Sequence, residues 1–372
     1  MKKLNLVLSV LSLFIVLSCD NDECEVSNMK EVINSQTRSK VTLPSGIVVE
    51  KVGKNYFWQG DILLSNEQLR QLSEYGSFMP TAAIENSSTE RISPTSGMTA
   101  TESSIKQTRC TGVYPNGYNL WAMVRYKINP NISYFTRLLI RQAISHWESR
   151  TNVRFYNATG LDSIDATYGF KYPCIEFYNG DGNFSSIGRI NQPQFISIFA
   201  MEDRYMAVAH EIGHAIGLYH EQCRYDRDQY ININFSNLDT SVLPVHNFTK
   251  VTTNYYCIGS FDWDSIMLYG SFDGSIYGDD GVSSHAVMTK KTDNSTWGTL
   301  TDSRPLSDLD RRWANTFYLP YIARSDTYAE LDSVVYDSNN IRLTEEQRIS
   351  LQASLNNGNP TPPVNGRIPS NN

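Results

Sequence analysis

The sequence predicts an α+β fold in which two lobes flank one histidine-rich helix. Before that helix, alternating apolar and polar residues predict strands, and one segment, Phe135 to Arg150, has the apolar stripe of an amphipathic helix. After it, the chain is polar and lacks a regular period. This order of elements is typical of an α+β domain with a cleft between its lobes.

The histidine-rich helix contains a motif that is typical of a catalytic zinc site. His210 and His214 are four residues apart, so a helix places both imidazoles on one face, about 5–6 Å apart at Cβ. Gly217 can adopt the left-handed conformation that ends a helix, which lets His220 turn back to the same ion. Three protein ligands leave one position for water, as in catalytic zinc sites. The sequence therefore predicts one catalytic Zn²⁺ bound by His210, His214 and His220.

Glu211 directly follows the first of these histidines and is predicted to be the general base. Bound Zn²⁺ lowers the pKa of water from about 15.7 towards 7, and Glu211 is placed to accept the proton. The alternative is a chance match on an ordinary buried helix. A chain with only six histidines would seldom contain HExxHxxGxxH by accident.

The residues around His220 resemble a family of zinc proteases. HExxHxxGxxH followed by a Met-turn is the metzincin pattern, and Glu221 with the run from Arg224 to Tyr230 resembles the astacin pattern HExxHxxGxxHExxRxDRDxY. The resemblance implies a metzincin-type two-lobed domain, with a mixed sheet and helices in the N-terminal lobe and a mostly irregular C-terminal lobe. It also implies hydrolysis of internal peptide bonds. The nearer alternative is a protease of another metzincin subfamily. Glu221 and the Asp-Arg-Asp run argue against it.

The stretch Ser265 to Gly270 resembles the astacin Met-turn S-x-M-H-Y, with leucine in place of histidine. The resemblance implies that Met267 packs beneath the three histidines. It implies that Tyr269 is a fifth metal ligand at rest and donates a hydrogen bond to the oxyanion during the reaction. It further implies that Glu221 is approached by the amino terminus after cleavage. Glu221 as a solvated residue at the helix end is the alternative.

Residues 185–189 resemble the family's edge strand, on which a peptide substrate lies extended. An unpaired edge binds peptide backbone through main-chain hydrogen bonds, so we expect protein or peptide substrates along Ser186 to Gly188. His146 and His246 stand apart from the motif and are expected not to bind the metal.

The first 19 residues predict a signal peptide. The apolar run from Leu4 to Leu17 is too short to span a bilayer comfortably. Val16-Leu17-Ser18-Cys19 resembles a bacterial lipobox, which implies export and a lipid on Cys19 that anchors the protein to the membrane of the cell envelope. Retention at the outer surface and secretion after activation both remain open. The alternative is plain secretion with Cys19 unmodified.

Residues 20–108 are interpreted as a tether and an inhibitory pro-segment. Astacin pro-segments carry F-x-G-D, and Trp58-Gln59-Gly60-Asp61 is similar, which implies that Asp61 binds the zinc and displaces its water. An ordinary Gly-Asp turn is one alternative. A thiolate of Cys24 or Cys110 as the blocking ligand is another.

The end of this region, residues 80–108, is rich in Ser, Thr, Pro and Ala and is a natural site for proteolysis. We therefore expect an activating protease to cut between Arg91 and Gly112.

The cysteines depart from the astacin pattern. Export implies an oxidising compartment, in which disulfides are allowed. Astacins usually carry two disulfides, but Asn152 stands at one expected cysteine and the stretch at Asn183 has none. A Cys223–Cys257 disulfide is the predicted replacement, and a Cys110–Cys174 pairing stays open.

The remaining divisions are a catalytic domain over residues 109–320 and an extension over 321–372. In the extension, residues 343–355 predict a helix capped by Thr344, and the last dozen residues are expected to be disordered. The net charge of −7 and the absence of a basic block exclude a general nucleic-acid binder. A surface adhesin with a structural zinc site is the alternative function, although such a site would not need Glu211.

Overall fold

The computed structural model describes most of the chain beyond residue 37. The predicted signal peptide, Cys19, the tether with Cys24, Cys110 and most of the predicted cleavage region lie outside the described residues. Among the helices of the described part, none has both the length and the apolar character needed to cross a membrane. The described residues are 38–78, 91–92, 99–100, 112–113, 120–166, 169–190, 193–252, 255–301 and 303–369.

The described residues form one nine-stranded sheet and three two-stranded sheets. The strands in chain order are β1 (Ser39–Thr42), β2 (Val48–Val52), β3 (Asn55–Trp58), β4 (Ile62–Leu64), β5 (Arg91–Ile92), β6 (Thr99–Ala100), β7 (Gly112–Val113), β8 (Val124–Ile128), β9 (Phe155–Asn157), β10 (Ile175–Gly180), β11 (Phe184–Ser186), β12 (Gln194–Phe199), β13 (Ile231–Ile233), β14 (Tyr255–Tyr256) and β15 (Met288–Lys290).

The predicted pro-segment supplies four strands of the large sheet, whose order is β1-β2-β3-β4-β11-β12-β10-β8-β9. Strands β1 to β4 pair in antiparallel order, and β4 then pairs in parallel with β11, with Ser185 opposite Ile62. Beyond β11, strand β12 runs antiparallel to it, and β12, β10, β8 and β9 are parallel. Residues 38–78, called the pro-segment from here on, therefore extend the sheet of the catalytic domain.

Local sequence signals set the helix ends. Ser65 caps the first helix and forms a capping box with Gln68, and Thr344, the predicted cap, does the same with Gln347 for the last helix. The amphipathic helix begins after Ser133 rather than at Phe135, because the Ser133 hydroxyl accepts a hydrogen bond from a backbone N–H of the first turn. The helices are α1 (Asn66–Tyr75), α2 (Tyr134–Glu148), α3 (Tyr205–Ile216), α4 (Asp308–Phe317) and α5 (Glu345–Leu355).

Helices α2 and α3 form the main core with the inner strands of the sheet. Leu139, Ile140 and Trp147 of α2 are buried in one cluster with Ile212 and Ala215 of α3. The Trp147 indole N–H also donates to the carbonyl of Ala209, at 3.0 Å. This packing fixes the helix that carries the first two histidines of the motif.

The chain after α3 is irregular, as predicted, and consists mainly of short 3₁₀ turns and two-residue or three-residue strands. One buried carboxylate organises it. Asp310, in the first turn of α4, accepts hydrogen bonds from the Ser265 hydroxyl at 2.8 Å and the Ile266 N–H at 3.0 Å. The helix thereby fixes the loop that contains Met267.

The C-terminal extension packs against the catalytic domain through polar contacts. The Asn152 side chain donates to the Tyr336 carbonyl and accepts from the Tyr336 N–H, both at 2.8 Å. The Arg154 Nε lies 2.9 Å from a carboxylate oxygen of Asp332. Leu331 and Val335 add a small apolar cluster with Leu319.

The expectation of disorder over the last dozen residues is wrong for residues 361–369. Ser325 donates its N–H to the Gly366 carbonyl, and Ile368 donates to the Ala323 carbonyl, both at 2.8 Å. Backbone pairing with residues 323–325 holds the tail, which its proline-rich composition did not indicate.

The predicted Cys223–Cys257 disulfide is not formed. Cys223 is buried, and its thiol donates to the carbonyl of Asn247 at 3.1 Å. It packs in a cluster with Val251 and with apolar residues of the pro-segment, whereas the buried Cys257 follows β14 and is not part of that cluster. The two side chains therefore serve different parts of the core.

Hydrogen bonds are present at both positions where the astacin pattern carries cysteine. Asn152 bonds to Tyr336, as described above. The Asn183 side chain donates to Glu202 at 2.7 Å and accepts from the Phe199 N–H at 2.7 Å. Polar side chains thus connect these segments without a covalent link.

Candidate metal centre

The three histidines of the motif converge, as predicted. His210 and His214 lie one turn apart on α3, with ring centroids 4.8 Å apart. Gly217 ends the helix in the left-handed conformation, with φ of 115°. A Cβ on Gly217 would lie only 2.9 Å from the Trp313 ring, so glycine is required there for both reasons. The turn brings the His220 ring to 4.7 Å from that of His214.

Backbone carbonyls orient two of the three rings. The Nδ1 atom of His210 lies 2.7 Å from the Ile266 carbonyl oxygen, and that of His214 lies 2.8 Å from the Leu218 carbonyl oxygen. A carbonyl only accepts, so each Nδ1 carries the proton and each Nε2 presents its lone pair. Burial holds the pKa of His214 well below its ordinary value and also lowers that of His220. Neutral imidazoles of this kind are suited to metal binding.

Asp61 of the pro-segment lies among these imidazoles. Its carboxylate oxygens are 3.1 Å from His220 Nε2, 3.5 Å from His214 Nε2 and 3.7 Å from His210 Nε2. Burial alone would raise the pKa of Asp61, but the three histidines hold it well below the ordinary value. The structure thus brings the predicted blocking residue to the predicted ligands.

The four side chains fit a zinc ion. One donor atom from each, Asp61, His210, His214 and His220, lies within 4.8 Å of the others. The His214 Nε2 and one Asp61 oxygen are buried and lack a hydrogen-bond partner, which is costly unless a cation satisfies them. Three imidazole nitrogens and one carboxylate oxygen are a common tetrahedral donor set for Zn²⁺.

Glu211 lies beside this donor set with one carboxyl oxygen buried and unpartnered. Burial, then the negative charges of Asp61 and Glu202, raise its pKa well above the ordinary value. Glu211 lines a cavity of about 210 Å³ together with Asp61, His210 and Tyr269. The cavity is the space in which a water or substrate carbonyl would meet the metal.

Tyr269 and Met267 are placed close to the histidines. The Tyr269 ring lies 4.6 Å from that of His220, and its hydroxyl donates to the Gln59 carbonyl of the pro-segment at 3.4 Å. A fifth-ligand role for Tyr269 therefore stays a prediction for the uncovered cleft. Met267 is buried, and a Cβ on Gly213, between the two helical histidines, would lie 2.6 Å from its sulfur. Met267 packs directly against the metal-binding helix.

Glu221 is not the solvated residue of the alternative interpretation, because it is only 1% exposed. One of its oxygens accepts from Arg224 at 2.9 Å and from the Asp262 N–H at 2.8 Å. Burial raises the pKa of Glu221 to about 8, although Arg224 opposes the shift. The approach of a new amino terminus to Glu221 stays a prediction.

The predicted substrate edge is covered in this structure. Strand β11 pairs with β4, and the Ser185 N–H donates to the Asp61 carbonyl at 2.9 Å. Gly188 follows the strand, and its N–H donates to the His214 carbonyl at 2.9 Å. The pro-segment therefore occupies the hydrogen-bonding edge that a peptide substrate would use.

His246 lies outside the metal-ligating group and contacts the pro-segment instead. Its Nε2 is 3.3 Å from a carboxylate oxygen of Glu50. Sequence reasoning treated His246 as a lone histidine and missed this pairing. The two residues are 196 positions apart, so no local pattern could have indicated the contact.

Comparisons with known proteins agree with this site. Residues 114–319 match the family model described as astacin, a peptidase family. The chain is 34% identical over 225 residues to Protein SpAN of Strongylocentrotus purpuratus and 32% identical over 224 residues to Blastula protease 10 of Paracentrotus lividus. Each alignment covers 59% of this chain but only about a third of the relative, 32% and 33%.

Among solved structures, the chain is similar to high choriolytic enzyme 1, a hatching enzyme zinc-protease from the medaka fish Oryzias latipes. The two are 25% identical, the match covers 59% of this chain and 96% of the other, and the TM-score is 0.43.

Proposed function

Because the chain belongs to the astacin family, we propose that it is a zinc-dependent endopeptidase made as a latent precursor. The arrangement of His210, His214 and His220 around the carboxylate of Asp61, with Glu211 alongside, is the observation that carries the proposal. Substrates would be proteins or peptides.

His210, His214 and His220 would hold Zn²⁺, which would supply Lewis-acid chemistry and lower the pKa of a water. Glu211 would accept a proton from the attacking water and pass it to the leaving amine. The Tyr269 hydroxyl donates a hydrogen bond to the oxyanion of the tetrahedral intermediate. Strand β11 would bind the substrate backbone through the edge that is freed when β4 leaves.

Latency follows from the position of Asp61. Its carboxylate takes the place that water needs, and its negative charge helps to keep Glu211 protonated and unable to act as a base. Cleavage between Arg91 and Gly112 by an activating protease would separate the pro-segment from the catalytic domain.

The location of the enzyme is part of the proposal. The lipobox-like run ending at Cys19 supports export and lipid anchoring to the bacterial cell envelope, at the outer surface or followed by release after activation. Incorporation of a labelled fatty acid into the wild-type chain, and none into Cys19→Ser, is the expected result. Equal labelling of both would contradict the anchor.

Hydrolysis of casein tests the enzymatic proposal. The protein without residues 1–19 should be inactive when intact, and active after nicking by trypsin and removal of the pro-segment. The activity should disappear with a chelator. Glu211→Ala should lower it by about 10²- to 10⁴-fold, the usual contribution of a positioned general base.

A protein that binds zinc and stays inactive in every form would contradict the proposal and favour the adhesin alternative. Folding of the Glu211→Ala variant is checked by its thermal transition. We expect that transition to be no lower than in the wild type, because the substitution removes a buried carboxyl of which one oxygen lacks a hydrogen-bond partner.

A further inference from the structure

The pro-segment contacts the catalytic domain through a buried carboxylate, Glu50, at a place separate from the metal centre. Glu50, on β2, lies 3.3 Å from His246 Nε2, and both side chains are only 6% exposed. The second oxygen of Glu50 lies 2.6 Å from Arg38. A carboxylate taken out of water needs such partners, and one of the two belongs to the catalytic domain.

The same stretch of the catalytic domain holds the tip of the β3–β4 hairpin. The Gln59 side chain donates to the Thr249 carbonyl at 3.2 Å. Gly60 has φ of 97°, and a Cβ there would lie 2.4 Å from the Asn247 amide nitrogen. Residues 246–249 therefore contact both a strand of the pro-segment and its turn.

Apolar contacts add to this surface. Trp58 packs edge-to-face against Tyr219 of the catalytic domain, with centroids 5.7 Å apart, and against Phe78, at 5.3 Å. Trp58, Ile62 and Leu64 share one buried cluster with catalytic-domain residues. The catalytic-domain members of this cluster are Ile187, Tyr219, Cys223 and Val251.

We propose that residues 246–249 of the catalytic domain, with the adjoining apolar surface, form a docking site that binds the pro-segment independently of the metal. Cutting the linker then leaves a complex of two chains. The cut pro-segment stays bound as an inhibitor until it dissociates or is degraded. The term inhibitor rests on the proposed function, but the binding does not.

The occupant of this site is residues 38–78 of the same chain. Those residues have their own meander, β1 to β4, and their own capped helix, α1. They contribute Leu43, Val49 and Leu72 to the shared apolar cluster. A cut in the region between residues 78 and 120 breaks none of the contacts described here.

Gel filtration of the nicked protein at decreasing concentration measures this binding directly. The protein without residues 1–19 is cut by trypsin, for which the linker offers Arg91, Lys106 and Arg109, and mass spectrometry confirms the cut. We expect the pro-segment to elute with the catalytic domain. We expect the same after removal of zinc with a chelator, and in the Asp61→Asn variant.

The matched variants are Glu50→Gln and Glu67→Gln. Both remove one negative charge from the pro-segment, but Glu67 is 56% exposed and pairs with Arg70 on its own helix. Glu50→Gln should raise the concentration at which half of the pro-segment is released by about tenfold, because it removes the buried negative charge that lies 3.3 Å from His246 Nε2. Glu67→Gln should not change it.

A second pair of variants tests the other side of the contact, in case Glu50→Gln folds poorly. His246→Gln should weaken retention, and His285→Gln, which alters a histidine paired with Asp280 at the surface, should not. Release of the wild-type pro-segment on nicking or on chelation would overturn the inference. Equal retention in Glu50→Gln and Glu67→Gln would overturn it as well.

Elution requires no catalytic activity, so the two proposals fail separately. Retention of the pro-segment in a protein that never cleaves casein would contradict the proposed function alone. Casein hydrolysis that begins at full rate on nicking, with the pro-segment eluting apart, would contradict the docking site alone.

Discussion

The two ends of the chain both pack on the catalytic domain, but with different chemistry. The pro-segment adds four strands to the sheet, buries Trp58 in an apolar cluster and places Asp61 among the histidines. The C-terminal extension is held mainly by polar contacts, such as those of Asn152 and Arg154. None of the described residues that line the cavity at the metal centre belongs to the extension.

We call the pro-segment a cover, because it lies over the metal centre. We call the C-terminal extension a brace, because it packs on the catalytic domain away from that centre. A cover must lie over the site and must be able to leave, so its contacts join two surfaces that can each exist without the other. A brace has to remain, and here side chains of the catalytic domain bond to backbone groups of the extension, as Asn152 does to the N–H and carbonyl of Tyr336. Substitutions in the first should change latency, and substitutions in the second should change stability.

The largest effect is expected for Trp58→Ala. Truncation of a buried tryptophan costs about 3–5 kcal/mol, and here the loss falls on the contact between pro-segment and catalytic domain. The uncut variant should show faster amide exchange in β4 and measurable casein hydrolysis. Tyr75→Ala, which truncates an exposed aromatic residue on α1, is the control. If Trp58→Ala and Tyr75→Ala showed the same amide exchange and the same casein hydrolysis, the distinction between cover and brace would not hold.

Asn152→Ala should have the next largest effect, and on stability alone. It leaves the partly buried N–H and carbonyl of Tyr336 without their partner, at about 1–3 kcal/mol in total. Urea denaturation should show a lower free energy of unfolding, while the uncut protein stays inactive. Asn131→Ala, at an exposed position, should change neither. Casein hydrolysis by uncut Asn152→Ala would show that the extension also helps to keep the pro-segment in place.

Acid should weaken both regions through different carboxylates. Burial would raise the pKa of Glu50, but His246 and Arg38 lower it, and the pKa of Asp332 is lowered by Arg154 against the effect of burial. A carboxylate with a lowered pKa stabilises the fold above its ordinary pKa of about 4, and this stabilisation is lost as the pH falls through the lowered value.

Retention of the nicked pro-segment and thermal stability should therefore both fall below about pH 4. Glu50→Gln should reduce the acid dependence of retention, and Asp332→Asn should reduce that of the thermal transition. The comparison would be contradicted if Glu50→Gln changed the acid dependence of the thermal transition and Asp332→Asn changed that of retention.

The smallest effect, no measurable shift of the thermal transition, is expected for a reducing agent. Asn152 and Asn183 form hydrogen bonds at the two positions where the astacin pattern carries cysteine, and Cys223 is not disulfide-bonded. A lower transition on reduction would contradict this expectation. Cys174 is not disulfide-bonded either, so the Cys110–Cys174 pairing that the sequence left open is not formed.

The site was more predictable from the sequence than the contacts around it. The three histidines and the glycine of the motif lie within the eleven positions from His210 to His220, so helix geometry and one turn determine how they meet. Trp58 to Asp61 could be assigned from resemblance because the short hairpin turn is also local.

The remaining contacts depend on pairs that are distant in sequence. No sequence pattern indicates the contact between Glu50 and His246 or the one between Asn152 and Tyr336, because only tertiary packing brings these residues together. The wrong disulfide arose in the same way. Proximity in the chain order suggested Cys223 and Cys257, whereas Cys223 faces the pro-segment. The composition of the tail likewise gave no sign of its backbone pairing with residues 323–325.

The pairing of β4 with β11 has a consequence for solubility. Without the pro-segment, the central sheet would end at β11, whose unpaired N–H and carbonyl groups are a template for another chain. In the precursor the outermost strand is β1, which carries exposed Ser39, Lys40 and Thr42, and lysine on an edge strand disfavours self-association. If the pro-segment is released as proposed, the catalytic domain alone should therefore aggregate more readily than the uncut chain as its concentration rises.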